Sequence, residues 1–159
     1  MFGWGKKKSP WDRYAQNLYD GLVAHNEFGD ITALSLKIPT ALHYAYQNKI
    51  LLQREMMCFV ALLQAAHPGT VLYSVMPVYG DMVVRKAADR GLQLSRDQLA
   101  ETSIRDVEAM FSEPYLWGQR WLAEFRSDPE ETFMVALFAD HCLKLFSAYK
   151  SGIENTSPK

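Results

Sequence analysis

From Thr40 to Ala66 the chain contains neither glycine nor proline, and over the second half of that stretch, Met56 to Ala66, it is apolar almost all the way round a helix. A helix of that character cannot lie on a surface; neighbours must pack it on several faces. The segment therefore asks for an architecture in which other elements surround a long central helix, closed by His67-Pro68-Gly69.

The remaining segments supply such neighbours. Ser9 and Pro10 form a helix start, with Ser as N-cap and Pro in the first turn. Trp11, Tyr14, Ala15, Leu18, Leu22 and Val23 then recur at spacings of three and four, and Asn26 and Gly29 supply the stop. Asp81 to Arg90 reads as a helix closed by Gly91. Ser95 and Gln98 form a capping box, with Leu94 and Leu99 placed as a hydrophobic staple, and Ala100, Ile104, Val107 and Phe111 give the apolar stripe that follows. Pro114 opens a helix carrying Trp117, Trp121 and Phe125 at intervals of four. A last helix is expected from a capping box at Ser127-Asp128-Pro129-Glu130, through Met134, Leu137, Phe138, His141, Leu145 and Tyr149, to a stop at Gly152.

Five to six helices with short connections predict an all-α, single-domain bundle over residues 9–150, with tails at 1–8 and 151–159. The alternative is an α+β fold. Leu34, Leu36 and Ile38 alternate with polar residues, and Thr70, Val71 and Tyr73 favour a strand, so a small strand pair near 33–38 and 70–76 would also fit. Pro77 argues against a helix through the second of these segments.

Composition narrows the function classes. A chain of 159 residues has room for one domain at roughly 100–200 residues each. Its 48 % hydrophobic content excludes disorder as the main state. Lys+Arg (17) and Asp+Glu (18) nearly cancel, so no nucleic-acid partner held by bulk positive charge is expected. Cys58 and Cys142 both sit in apolar runs and form no disulfide framework, which fits a cytoplasmic location. Met56 to Leu63, the longest apolar run, is far short of the ~20 residues needed to span a bilayer, and no secretory leader is expected.

No spacing selects a chemistry. His25, His43, His67 and His141 form no HExxH or Glu-x-x-His motif, and there is no C-x-x-C, so no metal ligand is assigned. Asp140-His141-Cys142 point in different directions on a helix, and Asp140 is placed to pair with Lys144 instead. There is no nucleophile elbow or phosphate loop, so no catalytic residue and no cofactor is assigned and enzyme activity is not expected.

Two features stand out. The first is the aromatic segment Phe111, Tyr115, Trp117, Trp121 and Phe125, with Tyr115, Trp117, Trp121 and Phe125 as the candidates for a partner-binding surface, since Trp and Tyr are enriched at interface hot spots; the competing and stronger expectation is that the stripe is core. Phe2, Trp4, Lys6, Lys7, Lys8 and Trp11 could touch an anionic membrane, but three Lys contribute only ~3 kcal/mol there, and a solubilising tail is the stronger expectation. The function expected is a small helical protein–protein interaction module, an adaptor, chaperone-like factor or inhibitor, with a protein partner or a second copy of the chain. Its alternatives are a bundle that binds an apolar small molecule in its core through His43, Tyr44, Tyr46 and His141, and an enzyme with an unrecognised site.

Overall fold

The structure is a computed structural model, described here over residues 9–24 and 35–156. It is an all-α bundle: α1 (Pro10–Ala24), a 3₁₀ turn (Thr40–Leu42), α2 (His43–Ala65), α3 (Val71–Asp89), α4 (Arg96–Ser112), α5 (Pro114–Leu122) and α6 (Thr132–Thr156), with no strand among the described residues. The expected N-terminal tail lies outside the described residues.

Helix α2 is the centre. From Ile50 to Leu62 nearly every residue is buried, and α1, α3, α4 and α6 all pack on it. Three consecutive polar residues, Gln53, Arg54 and Glu55, are buried with the rest. At about 100° per residue they face three directions. Gln53 reaches Asp106 of α4 and Trp121 of α5. Arg54 turns toward α6, where its charge acts on His141, Cys142 and Tyr149. Glu55 meets Arg90, at the end of α3, with two hydrogen bonds of 2.9 and 2.8 Å, and Arg90 also donates to the Tyr19 hydroxyl of α1 at 3.4 Å.

The end signals of α1, α3 and α4 act as their residue types require. Ser9 Oγ accepts from the Asp12 N–H (3.2 Å), and Asp12 accepts from the Ser9 N–H (3.0 Å). Ser95 and Gln98 exchange the two bonds of a capping box, at 3.1 and 2.8 Å. Gly91 takes φ +86°, and Leu92 N–H and Gly91 N–H return to the carbonyls of Ala87 and Ala88, a complete Schellman motif.

The structure decides against the alternative strand pair and moves both ends expected for the last helix. Residues 70–76 are not a strand: α3 starts at Val71 and carries Pro77 inside it. Leu72, Val75, Tyr79, Met82, Val83 and Ala87 are buried at helical spacing on both sides of the proline, so one continuous apolar face outweighs one missing hydrogen bond. The acceptor that Pro77 cannot serve is the carbonyl of Tyr73, a half-exposed residue. Nor do the described residues of 33–38 form a strand, since Lys37 has φ +57° and turns the chain so that Leu36 and Ile38 both enter the core.

The last helix begins at Thr132, after the expected capping box, and in the segment before it Asp128 and Glu131 accept from the buried Arg126 guanidinium at 3.2 and 2.7 Å. Its far end also lies beyond the expected stop. Gly152 does not break it, and Ile153 is buried, extending the face of Cys142, Phe146 and Tyr149 by another turn.

Candidate functional site

Helix α4 crosses a single stripe of α2 that runs through Lys49, Gln53, Met56, Val60 and Leu63. The face of α4 buried in the bundle is Leu99, Ser103, Val107 and Met110. It is rotated from the stripe read in the sequence, which placed Ile104 and Phe111 inward. Those two residues are 39 % and 52 % exposed. The apolar stripe of α4 is thus wider than the surface α2 can cover, and the excess forms one wall of an open groove of about 750 Å³.

Val60 and Leu63 of α2 form the opposite wall of this groove, and Val107 lies between the two sides. Phe111 is held edge-on against Phe146 of α6, with ring centroids 5.3 Å apart, so its exposed ring is braced from behind. The polar rim consists of Gln64, Glu108 and Ser112. Ser112 Oγ donates to the Glu108 carbonyl at 2.9 Å, and the Glu108 carboxylate takes part in none of the ion pairs formed among the described residues.

The other flank of α4 borders a second cleft, of about 550 Å³, between α2, α4 and α5. Four of its lining residues, Gln53, Asp106, Trp117 and Trp121, are already engaged with one another. Trp117 Nε1 donates to Asp106 Oδ1 at 2.9 Å, Gln53 Nε2 donates to Asp106 Oδ2, and Trp121 Nε1 donates to Gln53 Oε1 at 3.2 Å. At its edge, Lys49 sits 4.5 Å above the Trp121 ring and pairs with Glu124 at 2.6 Å. This closed network ties three helices together and leaves neither indole N–H for a ligand.

Of the aromatic surface expected from the sequence, Trp117, Trp121 and Phe125 are core residues, and only Tyr115 is exposed. The reason is the neighbourhood of α5. Trp117 stacks on Phe138 of α6 (5.8 Å, 9°), and Tyr46 meets Trp121 and Phe125 edge-on at 5.7 and 5.5 Å. Close approach of α5 and α6 depends on Gly118: a Cβ there would lie 3.3 Å from the Val135 carbonyl oxygen and 3.2 Å from its side chain.

The four residues proposed for a core ligand do not line a common cavity. His43 bonds the Ile38 carbonyl (2.8 Å), Tyr44 projects outward, Tyr46 is fully buried and His141 is half-buried on α6. Burial and the nearby Arg54 charge hold the His141 imidazole below its usual pKa, while burial keeps the Tyr46 hydroxyl protonated. Asp140 pairs with Lys144 at 2.9 Å, as its spacing requires. Both cysteines are free thiols inside the bundle, pushed by burial up to about 12. Among the described residues no three His, Cys, Asp or Glu side chains gather as a metal ion needs, and no helix is long and apolar enough to cross a membrane.

Sequence reasoning placed Ile104 and Phe111 together in the apolar stripe of α4, and read Phe111 also as the first residue of an aromatic segment that is either core or partner surface. Their exposure depends on how far α2 reaches across α4, which periodicity alone does not encode. No protein-family model matches this chain, and no match was found among curated proteins or solved structures.

Proposed function

We propose that the protein is a protein-interaction module whose docking site is the α2–α4 groove. The observation that supports this reading is the pair Ile104 and Phe111, large apolar side chains left 39 % and 52 % exposed on one helix flank and facing Val60 and Leu63. Single exposed apolar residues are ordinary on any surface, whereas a concave cluster with a polar rim is the usual form of an interaction site. The ring of Phe111 is fixed by Phe146, so a partner meets a preformed wall and loses little entropy in ordering it.

A photo-crosslinking amino acid at position 111, used in an extract of the native source, tests the reading against the same group at exposed position 97. A specific adduct at 111 is expected, competed by excess unlabelled protein but not by Ile104→Asp. Equal labelling from both positions, or equal competition by the variant, would reject it.

A further inference from the structure

The groove also restricts the form its occupant can take, an inference that rests on reading it as a protein-docking site. We infer that it receives an amphipathic α-helix of a partner protein, with apolar residues at i, i+3 or i+4, and i+7, and a Lys or Arg beside them to face Glu108.

The first argument comes from backbone hydrogen bonding. Both walls are helices, whose N–H and C=O groups are satisfied internally, so the groove offers no edge to which an extended strand could add. A partner segment must bring its own backbone bonds already made, and a helix does so. A proline-rich segment fits less well, because such ligands use aromatic-lined grooves, whereas Phe111 is the groove's single aromatic residue and both indole N–H groups nearby are spent on Asp106 and Gln53.

The second argument is length. Ile104 and Phe111 stand seven residues apart on α4, about 10.5 Å along its axis at 1.5 Å per residue. That equals the axial distance between the i and i+7 positions of a helix laid alongside.

The third is charge. Glu108 is the single charged side chain lining the groove. Of the other carboxylates of α4, Glu101 is engaged with Arg105 and Asp106 with Trp117 and Gln53; Asp97 and Glu108 join no ion pair among the described residues, and of these two only Glu108 lines the groove. A basic residue on the partner supplies the missing charge, and an acidic one is repelled.

Display selection of a random 14-residue peptide library on the full chain tests this inference. Enriched peptides are expected to carry the i, i+3/i+4, i+7 apolar pattern with Lys or Arg at its edge. Their affinity should fall at least tenfold on Ile104→Asp, a variant first shown to melt like the parent, and about threefold on Glu108→Lys. Replacing the peptide's basic residue by Glu should restore affinity for Glu108→Lys. Peptides that alternate with period two, or show no charge preference while still requiring Ile104, would overturn the inference and leave the docking site standing. Failure to enrich any Ile104-dependent peptide would overturn both. Concentration-dependent dimerisation abolished by Ile104→Asp would overturn the inference alone, because the docking site would then receive a second copy of the chain.

Discussion

The Glu55 carboxylate, wholly shielded from solvent, is gripped by both terminal nitrogens of Arg90 at 2.8 and 2.9 Å. A buried pair of this type adds little net stability over apolar residues of the same shape, yet losing one member leaves an uncompensated charge inside the protein. Arg90→Ala is therefore expected to cost about 3–5 kcal/mol in chemical denaturation. Adding Glu55→Gln to Arg90→Met should recover much of that loss, and strictly additive single effects would contradict the account.

Trp117 combines ring stacking on Phe138 with an N–H bonded to Asp106. Trp117→Ala should lower stability by about 3–5 kcal/mol. Trp117→Phe keeps most of the ring but drops the bond to a charged acceptor, a loss of about 1.5–3 kcal/mol. Urea unfolding of the two variants separates these contributions.

Cys58 and Cys142 should be silent toward an aromatic disulfide reagent at pH 8 in the native protein, since burial both blocks access and holds the thiols near 12. Two equivalents should react at once in denaturant. Prompt modification without denaturant would show that the bundle opens at one of these positions.

The half-buried His141 should make folding sensitive to acid. Its imidazole is held below the ordinary 6.5 by burial and by Arg54, with Lys144 acting in the same direction and Asp140 opposing. Below about pH 6.5 the unfolded chain takes up a proton that the folded chain refuses, so stability falls with pH until the depressed folded value is passed. A comparison of melting temperatures between pH 7.5 and 5 should show a smaller decline in His141→Gln than in the parent.

Gly118 admits little between α5 and α6. Gly118→Leu should destabilise strongly, because the contact it meets is the Val135 backbone oxygen, which cannot move aside as a flexible side chain could. Thermal melting of Gly118→Leu checks this expectation.

Helix positions were legible where a cap or a stripe had no competitor. Ser95 and Gln98, Gly91, Pro114 and the run from His43 to Ala65 all behave as local chemistry requires. What the sequence misjudged was settled by distant partners. Burial of Leu72 and Val75 carried α3 past Pro77, and the segment expected to cap the last helix instead wraps the Arg126 guanidinium with Asp128 and Glu131. The groove was half visible: the spacing picked out Ile104 and Phe111 as apolar, but the rotation of α4 that leaves them uncovered comes from burying Leu99, Ser103 and Met110 instead. Ser103, a polar residue on the buried face, is why a stripe traced through apolar residues alone was misdirected.

Gln53, Arg54 and Glu55 give the central rod a keyed fit. Sliding α2 by a single residue would rotate the trio by about 100°, aiming the amide where the guanidinium belongs and the guanidinium where the carboxylate belongs. Each misdirected group would then lie desolvated without its counterpart, at a cost of several kcal/mol for the charged ones. Oily side chains along the same rod tolerate such a shift far more readily, so this tripeptide is what restricts the bundle to one alignment.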